Sequence, residues 1–266
     1  MSTATCNGIR IYFERWGAGP RLLFFNGSGA SLDVSRPMID PYAGHFDVVA
    51  HDQRGLGRSA IPPGPYTMAD YAADAAALLD HVGWETCRVV GVSFGGMVAQ
   101  EFAVTWPERV ERLALVCTSP GGKHPSYPLH ELATLDPGGR ASAMPGLLDT
   151  RFTPQWLATH EQDRMLVEAM GSRGQLTRSD EQARGEREQL LARSHLDVTG
   201  RLHRITAPTL VASGRFDGIA PLANGEAIAA AIPGAQLRVY DGGHLFMRQD
   251  PAAHPDIIGF LSAPAS

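Results

Sequence analysis

The sequence predicts an α/β fold, a mostly parallel sheet flanked by helices with an inserted helical cap. Three observations lead there. Short β-branched or apolar runs alternate with helical patterns along most of the chain, the pattern of a parallel sheet whose connections cover its faces. A glycine-rich pentapeptide closes one of those runs and opens a helix. The stretch Pro120–Arg204 carries no convincing strand, and it is too long for a structureless loop inside a compact domain.

Taken in order, Ile9–Glu14 is expected as an antiparallel edge strand. Arg21–Phe25 and Phe46–His51 follow as buried strands. Thr67–Val82 is the clearest helix, because Met68, Tyr71, Ala72, Ala75, Leu78, Leu79 and Val82 recur at helical spacing. Thr67 with Asp70 predicts a capping box, and Gly83 stops the helix. Cys87–Val92 is the next strand, then a helix from about Gly95 to Thr105 that must end before Pro107. Leu113–Thr118, Thr209–Ser213 and Gln236–Tyr240 complete the strands. Helices are expected at Leu222–Ala231 and Pro251–Leu261, the second capped by Asp250.

These elements place the core in residues 1–119 and 206–266 and a helical cap in residues 120–205. Within the cap, Pro154–Met170 and Glu181–His195 have helical patterns. Pro120–Arg204 holds 11 bases and 11 acids, so the net charge of −5 lies entirely in the rest of the chain.

That charge, with no Lys/Arg run, gives no footprint for nucleic acid. The longest apolar runs are about half a membrane span, so no membrane partner is expected. The segment Met1–Gly8 has neither the basic nor the apolar region of a signal peptide, and a cytoplasmic protein is expected. Cys6, Cys87 and Cys117 are odd in number and far apart, which suits a reducing compartment. The oligomeric state is left open.

Gly91-Val92-Ser93-Phe94-Gly95-Gly96 has the G-x-S-x-G spacing between a strand and a helix. A sharp turn there exposes the Ser93 hydroxyl above the sheet, and the Phe94 N–H points to where an oxyanion would form. A serine hydroxyl needs a base to take its proton. Of ten histidines, His244 follows the last strand in Asp241-Gly242-Gly243-His244, and it is the expected base. Asp217, at the carboxyl end of the strand Thr209–Ser213, is the expected carboxylate that orients His244. The loop Asn26-Gly27-Ser28-Gly29 is expected to supply the second oxyanion donor through the Ser28 N–H. Asp52–Ser59 lacks the ending of a phosphate loop and is read as a loop bracing this face. No Cys/His or acidic cluster has ligand spacing, so neither metal nor cofactor is expected.

Asp52-x-Arg54-Gly55-x-Gly57-x-Ser59, the Gly91–Gly96 turn, Gly214-x-x-Asp217 and Gly243-His244 together resemble the α/β-hydrolase superfamily. Within it the chain is most similar to the 3-oxoadipate enol-lactonase-like branch. Asn26, Gly64-Pro65-Tyr66-Thr67, Ser93–Gln100 and Arg151-Phe152-Thr153-Pro154 carry that similarity, and Phe94 departs from the branch's usual Met or Leu. The resemblance implies the α/β-hydrolase fold and a serine hydrolase that cleaves a small ester or lactone through an acyl-enzyme. It also makes Arg151 the candidate ligand for a substrate carboxylate. Two alternatives stay open: hydrolysis of a carbon–carbon bond in a dienone, and a triad-bearing small-molecule receptor.

Overall fold

The computed structural model describes residues 2–132, 134–173 and 179–264. Among them, eight strands form one sheet: β1 (Ser2–Cys6), β2 (Ile9–Gly17), β3 (Arg21–Phe25), β4 (Asp47–His51), β5 (Cys87–Val92), β6 (Val110–Val116), β7 (Thr209–Gly214) and β8 (Gln236–Tyr240). Their spatial order is β1-β2-β4-β3-β5-β6-β7-β8. β1–β2 and β2–β4 pair antiparallel, and every later pair is parallel. The carboxyl ends of β3 and of β5 to β8 therefore share one edge of the sheet, where ligands of open α/β sheets bind.

Alternation along the strands divides the core between two faces. Leu23, Val89, Leu113 and Val211 pack on one face beneath α2 (Met68–His81), α3 (Phe94–Thr105) and α9 (Leu222–Ala231). Leu22, Val48, Val90, Ala114 and Leu210 pack on the other beneath α1 (Leu32–Ala43), α10 (Phe246–Gln249) and α11 (Ala253–Ser262). Burial on both faces explains why these strands read as unbroken apolar runs. Cys6, Cys87 and Cys117 are free thiols inside this core.

Two expectations are corrected, and one helix is added. The edge strand is β1, not Ile9–Glu14, which is the start of β2 and pairs on both sides. α1 adds a helix to the expected elements, with Pro37 and Pro41 inside it. The last helix begins at Ala253 rather than Pro251, and Asp250 accepts from the Ala252 N–H instead of serving as its N-cap residue. The capping box at Thr67 and Asp70 is present as read.

Between β6 and β7 lie α4 (Leu129–Leu132), α5 (Pro137–Leu148), α6 (Pro154–Thr159), α7 (Glu161–Arg173) and α8 (Asp180–Ser194). The described residues of this segment include no strand, only two isolated bridges at Gly121. Leu148 and Phe152 pack with Ile219, and Leu245 packs beside them. This cluster seats α5–α7 against the loops after β7 and β8. α8 meets the opposite side: Gly185 approaches Gly55 so closely that a Cβ on Gly185 would collide with Gly55 O. Arg184 donates to the carbonyls of Ile61 and Pro62 at 2.9 and 2.7 Å.

Candidate active site

Ser93 ends the strand-to-helix turn with φ 55° and ψ −115°, in the region L-residues rarely occupy. Such a conformation persists only where its surroundings over-determine it. Here its N–H donates to Val116 O at 2.8 Å, and its carbonyl accepts from Thr118 Oγ1 at 2.7 Å. Two glycines are required by close approach. A Cβ on Gly91 would collide with Gly95 O, and one on Gly95 would collide with Phe25 O. The crowding presses the turn against β3 and aims the Ser93 side chain over the sheet edge.

His244 Nε2 lies 2.9 Å from Ser93 Oγ, and His244 Nδ1 lies 2.8 Å from Asp217 Oδ2. Asp217 is buried, and its other oxygen accepts from the N–H groups of Ile219 and Ala220, each at 2.8 Å. With the carboxylate fixed on three sides, Nδ1–H is the tautomer its geometry favours, leaving Nε2 as an acceptor facing Ser93. The three residues expected as nucleophile, base and orienting acid are thus brought into one hydrogen-bonded line.

The inserted helices hold that line from above. His244 N–H donates to Leu148 O at 2.6 Å, Gly218 N–H to Leu147 O at 3.1 Å, and Thr150 N–H to Phe216 O at 2.9 Å. One turn at the end of α5 therefore fastens both the Asp217 loop and the His244 loop. The sequence contains no motif for this contact, since it is made entirely by backbone atoms.

Phe94 opens α3, so its N–H is one of those a helix leaves without an internal partner. The Asn26–Gly29 loop lies against the turn, and a Cβ on Gly27 would stand 3.8 Å from Ser93 Cβ. Gln53 Nε2 donates to Asn26 O at 2.9 Å, and Asn26 Nδ2 donates to His51 O at 3.3 Å. Asn26 Oδ1 and Ser28 Oγ are buried without a partner among the described residues. A residue the sequence did not single out completes the loop's support: Gln189 Oε1, on α8, accepts from Gly29 N–H at 2.7 Å. The buried face of α8 contains Gly185, Gln189, Ala192 and Arg193. Helical spacing of small and polar residues is the only sequence signal it carries.

The Asp52–Ser59 loop braces this edge. Asp52 accepts from the N–H groups of Leu32 and Arg58 at 2.6 and 2.8 Å. Arg54 forks onto Asp74 of α2 with two bonds of 2.7 Å, a buried ion pair.

Arg151 corrects an expectation. Its guanidinium grips Asp149 at 2.9 and 2.7 Å and Asp241 at 2.9 Å, and it lies 4.0 Å from the Phe216 ring centroid. Two carboxylates already neutralise it, so it is not presented to a substrate carboxylate. Among the described residues, no group of three or more His, Cys, Asp or Glu side chains is placed to hold a metal ion. Nor is any described helix long and apolar enough to cross a membrane.

Residues 20–251 match the family defined by the alpha/beta hydrolase fold, and the chain belongs to that family. It is 33% identical over 260 residues to a poly(3-hydroxyalkanoate) depolymerase of Ectopseudomonas oleovorans, covering 90% of this chain and 83% of the relative. It is 27% identical to 3-oxoadipate enol-lactonase 2 of Acinetobacter baylyi, over 94% of this chain and 92% of the relative. The crystal structure of the enol-lactonase from Burkholderia xenovorans LB400 superposes with a TM-score of 0.81 at 25% identity, covering 98% of this chain and all of that one. By name these relatives are a depolymerase and two enol-lactonases.

Proposed function

We propose that the protein is a serine hydrolase of small esters or lactones, working through an acyl-enzyme. The observation that carries this reading is the unbroken line from Ser93 Oγ through His244 to Asp217, with bonds of 2.9 and 2.8 Å. In this reading His244 Nε2 takes the Ser93 proton as Oγ attacks the substrate carbonyl. The carbonyl π-electrons move to oxygen, and the N–H groups of Phe94 and Ser28 receive that oxyanion. Its collapse expels the alkoxide, which takes the proton from His244. Water then attacks the acyl-enzyme with His244 as base again, releasing the acid and restoring Ser93. Asp217 keeps the imidazole in its tautomer and stabilises the imidazolium without itself taking the proton.

Residues 120–205 act in this account as a cap. Its support is the set of backbone bonds from α5 to the Asp217 and His244 loops, together with the bond from Gln189 to Gly29. The same segment that closes the site also fixes the geometry beneath it.

Covalent trapping tests the proposal. Incubation with a fluorophosphonate should add one phosphonyl group to the peptide that contains Ser93, detected by mass spectrometry, with loss of p-nitrophenyl acetate turnover. Ser93→Ala should remain unlabelled. Labelling at another residue, or turnover that persists in the fully labelled protein, would overturn it.

A further inference from the structure

Burying a carboxylate is costly unless its oxygens meet donors. Asp149, the residue that ends α5, is fully buried, and donors surround it. Arg151 closes on it with its own backbone N–H and with Nε, each 2.9 Å from Oδ1, and with Nη2 at 2.7 Å from Oδ2. Gln249 Nε2, on α10, donates to Oδ2 at 3.0 Å. A buried ion pair is a weak source of stability beside an apolar pair of similar volume. What this one does provide is fixed geometry at the turn where the inserted helices meet the sheet edge.

That geometry reaches His244 by two routes. Arg151 Nη1 donates to Asp241 Oδ1 at 2.9 Å, at the start of the Asp241-Gly242-Gly243-His244 loop. Gln249 Oε1, on the side chain that Asp149 holds, accepts from the Gly243 N–H at 2.9 Å. A Cβ on Gly243 would collide with Leu148 O and with the Asp149 backbone, so the loop is pressed onto the same turn. Leu148 O in turn takes the His244 N–H. The residue before Asp217 is caught as well. The Arg151 guanidinium covers the Phe216 ring, and Phe216 N–H donates to Gly242 O at 2.9 Å.

We infer that Arg151 and Asp149 are positioning residues for the base, a clamp carried by the inserted segment that sets where the His244 imidazole stands between Ser93 and Asp217. Among the described residues, the hydrogen bonds of these two side chains go to each other, to Gln249 and to Asp241, so the pair acts on His244 through the loop 241–244. The imidazole must meet Ser93 and Asp217 together at hydrogen-bond length. A displacement of ~1 Å in such a group costs up to about 100-fold in rate. The inference rests on His244 being the base, and the experiment separates the two claims.

The test is a double-mutant cycle on kcat for p-nitrophenyl acetate. Arg151→Met should lower kcat by about 10- to 100-fold, with KM changed by less than about threefold. In a His244→Ala background the same Arg151→Met change should lower kcat by less than about twofold, because the group it positions is gone. A purely structural role would cost the same factor in both backgrounds. Gln249→Met cuts only the second route. It should show the same dependence on His244 with a smaller loss, and it carries the test alone if Arg151→Met fails to fold. Equal losses in the two backgrounds, a loss confined to KM, or wild-type kcat in the folded variants would each overturn the clamp. His244→Ala with the kcat of the wild type would instead overturn the hydrolase reading beneath it.

Discussion

Gln189 Oε1 accepts a 2.7 Å hydrogen bond from the Gly29 N–H, tying the middle of α8 to the loop that follows β3. Gln189 is fully buried, and 160 residues separate the two partners. The bond makes the position of the proposed oxyanion donor Ser28 depend on a helix outside the sheet.

Gln189→Ala should therefore lower kcat for p-nitrophenyl acetate by about tenfold, the scale of one misplaced or lost hydrogen bond, with a smaller change in KM. Gln189→Glu keeps an acceptor at the same place and should recover most of the rate. A loss confined to KM, or no recovery in Gln189→Glu, would separate this bond from oxyanion binding.

His51 gives the fold an acid-sensitive point. Burial pulls its imidazole down to about 4, and its Nδ1 has no partner among the described residues. The unfolded chain, with an ordinary histidine near ~6.5, binds this proton more readily than the folded one. Stability is lost as pH falls from about 6.5 toward 4, by up to ~3 kcal/mol for this group. His254, also lowered by burial, adds to that loss. Asp52 and Asp74 are raised by burial and offset part of it, because a raised carboxyl favours the folded form in acid. The contribution of His51 is isolated by urea unfolding of wild type and His51→Phe at pH 7 and pH 4.5. The wild type should lose more stability over that interval than the variant, and equal losses would show that His51 does not titrate on unfolding.

The site was legible in the sequence to the extent that it depends on local geometry. Gly91–Gly96 spells out a turn that crowds its neighbours, Asp217 follows the apolar run of β7, and His244 follows the alternating run of β8. Asn7-Gly8 is the turn between β1 and β2, with φ 48° and 79°, and it marks the first hairpin as clearly as any dipeptide can. Ile9–Glu14 follows that turn, so it pairs with β1 on one side and β4 on the other instead of forming the edge. α1 was hidden for a different reason: Pro37 and Pro41 lower helix propensity, whereas burial of Leu32, Ile39 and Tyr42 against the sheet decides the outcome. The contacts from Leu148 and Gln189 join positions far apart in the chain, by a backbone carbonyl or by one polar side chain. Periodicity does not register such contacts. Arg151 shows the reverse case, a cation whose partners Asp149 and Asp241 become visible only once the chain is folded.

The central claim is that Ser93 and His244 act as one unit, and the kcat of the double variant tests it most directly. Ser93→Ala and His244→Ala should each lower kcat by about 10⁴–10⁶, with the fold retained by circular dichroism, and Ser93→Ala with His244→Ala should lose little more than either alone. Once one partner is gone, the other has no proton transfer left to assist. Losses that multiply in the double variant would show two independent contributions and would contradict the account.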